Sequence, residues 1–193
     1  MYKRLIVGFA ALIVAGCSQT PLTTVGASPN NNGTALPEQW SIKAKLGLRT
    51  PNTNGSVTLE WLETDSQYTI RIQGPLGQGN ATVRGGQEGV ILQRPGKSPI
   101  YSSDALSLIQ QEFGWTLPVD DLRFWVRGIA NPLNPVEKKH YSTTGQLLSM
   151  SQSGWQLHYS RYKTIDQWQL PGRIRANQNE VYLTLIIREW HLF

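Results

Sequence analysis

Residues 40–49 read Trp40-Ser41-Ile42-Lys43-Ala44-Lys45-Leu46-Gly47-Leu48-Arg49. Trp40, Ile42, Ala44, Leu46 and Leu48 fall on one side, and Ser41, Lys43, Lys45 and Arg49 on the other. Strand side chains point to opposite faces in turn, so this period of two predicts a strand with one dry face and one wet face. The basic face reads as a solvated strand surface or as one that meets an acidic partner. The same pattern spreads outward. Beyond a turn of Pro, Asn and Gly at 51–55, Val57, Leu59 and Trp61 alternate with Thr58 and Glu60. Tyr68, Ile70 and Ile72 alternate with Thr69, Arg71 and Gln73. Short runs at 79–84 and 89–93 flank Gly85-Gly86. Trp155, Leu157 and Tyr159 continue the pattern, as do Val181, Leu183, Leu185 and Ile187, with fainter forms at 147–152 and 173–176. Strands with one wet face belong to antiparallel sheets, and nothing alternates strand with helix as a parallel sheet requires.

Two amphipathic stretches interrupt the strands. Ser102 or Ser103 is placed to cap a helix carrying Ala105, Leu106, Ile109 and Phe113, closed by Gly114. Leu117-Pro118 opens a second, with Leu122, Trp125 and Val126 on one stripe, Gly128 at its end, and Asp120 and Asp121 in the first turn, where the helix dipole favours negative charge. A third short helix around 37–40 fits the sequence. Residues 129–146 show no feature. The expected fold class is mainly β (α+β): a strongly curved antiparallel sheet or incomplete barrel, covered by short helices.

The N-terminus carries a different signal. Lys3 and Arg4 precede residues 5–16, LIVGFAALIVAG, which hold no charge. Twelve residues fall short of the roughly 20 that span a bilayer. They fit the apolar centre of a secretory signal peptide ending in small residues. Cys17, the chain's one cysteine, follows directly. One cysteine forms no intramolecular disulfide, and its place matches the bacterial lipoprotein signal, in which this thiol is acylated. Residues 1–16 therefore read as a signal peptide. Residues 17–36, with a charge-free SQTPLTTVGASPNNNGTAL, read as lipidated Cys and flexible tether, and 37–193 as one folded domain. Lys3 and Arg4 carry two of the 18 basic charges; against 13 acidic ones, the remainder nets +3. That is too little, and too scattered, for nucleic-acid binding.

Catalytic patterns are missing. Gly74-Pro75-Leu76-Gly77-Gln78-Gly79 is glycine-rich but lacks the Lys and Ser/Thr of a phosphate loop. There is no GxSxG, and His140, His158 and His191 lie too far apart in sequence for a zinc motif. No metal, cofactor or enzyme activity is expected. Aromatic residues are the conspicuous resource: 7 Trp, 7 Tyr and 4 Phe. They serve either as a packed core or as the wall of an apolar hollow that shelters hydrocarbon. Leu76, between Pro75 and Gly77, either folds back onto the core or projects outward towards a membrane or an apolar partner.

In order along the chain, these features resemble the outer-membrane lipoprotein receptor family LolB. The resemblance rests on the signal ending at Cys17, the strand ending in Trp61, Gly74-Pro75-Leu76-Gly77, and Leu117-Pro118 followed by Leu122, Trp125 and Gly128. It continues through Gly154-Trp155-Gln156-Leu157-His158-Tyr159, Leu170-Pro171 and the final strand ending at Trp190. It implies an incomplete barrel with a helical lid. It also implies an outer-membrane, periplasm-facing protein anchored at Cys17 that accepts triacylated lipoproteins from a LolA-like periplasmic carrier and inserts them into the outer membrane. The residue after Cys17 is Ser18, not the Asp that commonly retains lipoproteins at the inner membrane. The implied transfer loop is Leu76 with Pro75 and Gly77. Trp61, Trp125, Trp155, Leu59, Ile70 and Leu122 are expected at the acyl-chain cavity. The protein is expected to act as a monomer, without nucleotide. Rival readings are a hydrolase of lipid or cell-wall substrates and a structural envelope scaffold.

Overall fold

A computed structural model describes residues 36–75, 79–113 and 117–193. The expected signal peptide, Cys17, the tether up to residue 35, Leu76, Gly77 and Gly114 lie outside the described residues. Among the described residues, thirteen strands and two helices follow one another: β1 (Trp40–Arg49), β2 (Asn54–Thr64), β3 (Gln67–Gln73), β4 (Ala81–Gly86), β5 (Gly89–Gln93), β6 (Ile100–Ser102), α1 (Ala105–Phe113), α2 (Val119–Trp125), β7 (Val136–Tyr141), β8 (Leu147–Gln152), β9 (Trp155–Ser160), β10 (Lys163–Ile165), β11 (Trp168–Leu170), β12 (Arg173–Gln178) and β13 (Val181–Leu192).

Eleven strands form one antiparallel sheet in the order β6-β5-β4-β3-β2-β1-β13-β12-β9-β8-β7, and β10 and β11 pair separately. The ends of the large sheet, β6 and β7, do not pair, so the sheet is not closed. It is nonetheless curled. β4 and β12 stand five strand spacings apart, about 24 Å on a flat sheet. Yet Val83 of β4 and Ile174 and Ala176 of β12 border the same small hollow.

β1 sits at the middle of the order and buries Trp40, Ile42 and Ala44 as its alternation predicts. β13 pairs with it along its whole length, with a bulge: Lys43 faces Glu189 while Ala44 faces Ile187, leaving Arg188 unmatched. The extra residue flips the alternation. Leu183, Leu185 and Ile187 point inward, and beyond the bulge the inward residue is Trp190, opposite Ile42. Bulges of this kind also sharpen twist and bend the strand. Gly85 marks another tight place. It lies opposite Tyr68, and a Cβ there would meet the Tyr68 ring at 2.3 Å.

Several local expectations change. Asp104, rather than Ser102 or Ser103, caps α1: its Oδ1 accepts the Ser107 N–H at 2.7 Å. The buried stripe of α1 is Ala105, Leu108 and Ile109, whereas Leu106 faces water. The chain over 37–39 runs into β1 without forming a helix. Residues 129–146, featureless in the sequence, hold the edge strand β7, and two three-residue strands make the β10–β11 hairpin.

Candidate functional site

The hollow lies between the inner face of the sheet and the helical segment. Its floor comes from β1, β2, β3, β4, β12 and β13, whose alternation sends Leu46, Leu59, Trp61, Ile70, Val83 and Leu185 inward. Its roof is Ile109 of α1, Leu117, and Val119 and Leu122 of α2. Every described lining side chain is apolar. The volume is about 70 Å³. That is less than the roughly 150 Å³ that accommodates a benzene molecule in an apolar protein cavity. Among the described residues the lining carries no nucleophile, acid or base, and its physical capacity is to hold hydrocarbon.

Four of the six residues expected at a cavity border this one: Leu59, Trp61, Ile70 and Leu122. The structure places Trp125 and Trp155 elsewhere. Their rings pack on each other at 6.3 Å, and Trp125 is fully buried. The reason is the Trp125 indole N–H, which donates to Gln152 Oε1 at 2.8 Å and holds the ring at the end of α2 rather than over the hollow. Trp61 belongs to a second cluster with Trp40, which stacks in tilted fashion on Trp61 at 5.4 Å and on Trp190 at 5.6 Å. Of the expected transfer loop only Pro75 is described, and it is exposed.

Polar residues hold the roof, and these the sequence reading missed. Glu63 follows Leu59 and Trp61 on the inward parity of β2 and is 3% exposed. Arg123 of α2 donates to Glu63 Oε1 through Nε at 2.7 Å and also through Nη2, while the Trp61 indole N–H donates to Oε2 at 3.3 Å. Burial still raises the Glu63 carboxyl above its usual range, against the pull of Arg123 and Trp61.

A second set fixes the other side of α2. Asp121 Oδ1 accepts from Asn131 Nδ2 at 2.8 Å and from Asn134 Nδ2 at 2.6 Å. Gln152, fully buried, accepts from Trp125 and from the Asn131 N–H at 3.0 Å. It donates to the Asn131 and Asn134 carbonyls at 2.9 and 2.8 Å. A buried amide with its partners supplied costs little and fixes one geometry. The available signal was parity: Glu63 and Gln152 are polar residues at positions where their strands are otherwise apolar.

α1 is attached differently. Described polar ties include Arg94 Nη2 to Glu112 Oε2 at 2.8 Å, near the surface, beside the burial of Leu108 and Ile109.

Comparison with known proteins agrees with this geometry. Residues 38–190 match the family model described as "Outer membrane lipoprotein LolB". A Cellvibrio japonicus protein named "Outer-membrane lipoprotein LolB" is 39% identical over 157 residues, covering 79% of this chain and 77% of its own length. A Pseudomonas fluorescens protein of the same name is 34% identical, with 98% of this chain and 97% of that one aligned. Among solved structures, a LolA superfamily protein from Nitrosomonas europaea superposes with a TM-score of 0.51 at 11% identity, over 81% of this chain and 87% of that one, a likeness of fold alone. With a family model spanning the body from residue 38 to the last strand and relatives above 30% identity along nearly the full chain, the chain belongs to the outer membrane lipoprotein LolB family.

Proposed function

We propose that this protein is an outer-membrane lipoprotein, anchored by acylated Cys17, that takes triacylated lipoproteins from a LolA-like periplasmic carrier and passes them into the outer membrane. The observation that carries this reading is the wholly apolar hollow between sheet and helices, in a chain of this family. It works as one domain over 37–193, as a monomer. An acyl chain of about 16 carbons gains roughly 13 kcal/mol on leaving water, at about 0.8 kcal/mol per CH₂. It therefore needs an apolar host at every stage. Transfer runs down an affinity gradient from carrier to hollow to bilayer, without nucleotide hydrolysis.

At about 70 Å³ the hollow is closed to such a guest, so acceptance requires the roof to lift. The attachments support α1 as the mobile part of this lid. α2 is held by buried and half-buried bonds to Glu63, Asn131, Asn134 and Gln152. Leu59, Trp61, Ile70 and Leu122 form the acyl-chain wall. Leu76, with Pro75 and Gly77, forms the loop that meets the membrane at delivery.

The test is handover. A LolA-like carrier loaded with labelled triacylated lipoprotein is mixed with vesicles bearing this protein. Label should move to the vesicles without ATP, and vesicles lacking the protein should take up far less. Equal uptake by both would defeat the proposal.

A further inference from the structure

We propose that the outer face of the sheet carries a binding site for the phosphate of an anionic phospholipid headgroup, centred on Gly47. The inference rests on the membrane-anchored role given above. The face behind the hollow is crossed by a row of in-register partners: His158 opposite Arg175, Arg175 opposite Thr184, and Thr184 opposite Gly47. The neighbouring row sets Asn177 opposite Tyr182 and Tyr182 opposite Arg49. Gly47 has no side chain, so the middle of this surface sinks into an open depression of about 460 Å³.

Two arginines give its rim positive charge. Arg49 and Arg175 border it, with His158 beside them, and no carboxylate does among the described residues. The ion pairs recorded among the described residues involve none of these three. The Arg49 guanidinium lies 4.4 Å above the Tyr182 ring centre, which fixes its plane while leaving its edge for a ligand. Asn177 and Thr184 add neutral hydrogen-bonding groups. Guanidinium groups with amide and hydroxyl donors around a shallow floor suit a phosphate oxyanion.

Position selects the source of that phosphate. The depression lies where β1 ends and β2 begins, the end of the sheet that also carries the β3–β4 connection with exposed Pro75. More strand-end carboxylates lie at the other end, while at this one Glu180 occupies the β12–β13 turn. Asp65 and Glu88 occupy the β2–β3 and β4–β5 turns, Glu38 precedes β1, and Asp104 follows β6. A molecule polarised in this way presents its basic end to an anionic bilayer, each arginine near such a surface being worth about fivefold in affinity.

The experiment titrates the full chain, held in neutral-detergent micelles, with dihexanoylphosphatidylglycerol. The reading is the backbone amide shifts of Gly47 and Thr184. Inorganic phosphate and dihexanoylphosphatidylcholine form separate arms. Saturable shifts with phosphatidylglycerol are expected, with weaker binding in both other arms. Arg49→Gln with Arg175→Gln should raise the apparent Kd about 25-fold. Gly47→Thr fills the floor without changing charge, and a Cβ there meets nothing nearer than the Thr184 carbonyl oxygen at 3.8 Å. It should weaken binding at least fivefold while the fold stays intact. The control pair Arg84→Gln with Arg188→Gln, on strands but outside the depression, should change Kd by less than threefold.

Absence of saturable shifts overturns the site, as does an equal loss in the control pair. Equal affinity for inorganic phosphate overturns the headgroup assignment. If the Arg49/Arg175 variant binds headgroup normally but no longer receives cargo from the carrier, the depression serves protein docking and the proposal fails. Cargo acceptance by the wild type is measured alongside, so a failed headgroup site and a failed receptor role are told apart.

Discussion

Arg123 of α2 donates through Nε to the buried Glu63 carboxylate of β2 at 2.7 Å, so one end of the roof is bolted to the floor it covers. Removing one partner of a buried pair costs about 3–5 kcal/mol, because the other charge stays behind without compensation. Arg123→Met is therefore expected to lower stability by about 3 kcal/mol in urea denaturation. Glu63→Gln should cost less, since Arg123 reaches solvent and a neutral amide is cheaper to bury.

The same carboxylate gives stability a pH dependence of known sign. Burial, opposed by Arg123 and Trp61, raises the folded-state pKa of Glu63 above 4.5. Folding then takes up a proton between the unfolded and folded values, so this group's contribution falls as pH rises through that window and is level above it. Denaturation midpoints of wild type and Glu63→Gln, measured from pH 4 to pH 8, should shift in the variant's favour as pH rises. A difference that moves the opposite way refutes the burial argument.

Val83 borders the hollow from β4. Val83→Leu adds one methylene to unfilled apolar space, which should raise stability by about 0.8 kcal/mol. It should also slow cargo uptake several-fold in the handover assay, because the guest competes for the same volume. Trp61→Ala, by contrast, should lose about 3–5 kcal/mol and lower uptake through instability as well, so it discriminates poorly.

Leu76→Glu tests delivery separately from acceptance. The variant is expected to keep the thermal midpoint and cargo uptake of wild type and to insert cargo into vesicles at least tenfold more slowly. Normal insertion would remove this loop from the mechanism.

Asp104 caps α1, and its carboxyl is held below the usual range by the Ser107 N–H bond. Its contribution is present above about pH 3.8 and is lost as pH falls through the lowered value. Asp104→Asn keeps a capping oxygen, so α1 should stay folded without that acid dependence. Asp104→Ala should fray the helix, seen as faster amide exchange at Ser107.

The sheet was legible because its signal is local. In β1, Trp40, Ile42 and Ala44 alternate with polar neighbours, Ser41, Lys43 and Lys45, and that pattern alone places the dry face. The β13 bulge was hidden, since one unmatched Arg188 is visible only against Lys43 and Ala44 of the partner strand. β7 was missed because its residues are almost all exposed, which leaves no alternation to read. Leu59, Trp61, Ile70 and Leu122 could be placed near a hollow because they are apolar and inward. Trp125 could not be separated from them, because what draws it away is Gln152, 27 positions later. Long-range hydrogen bonds leave no periodic trace.

The unpaired ends of the sheet have a mechanical meaning. A closed barrel enlarges its bore only by breaking a row of backbone hydrogen bonds along some seam. Here β6 and β7 are not joined, so a small change of twist in each neighbouring pair lets the whole curl relax outward with every ladder intact. Capacity is then adjustable like the diameter of a split ring, and beneath a lifted roof the curl can make room for a guest without rupture.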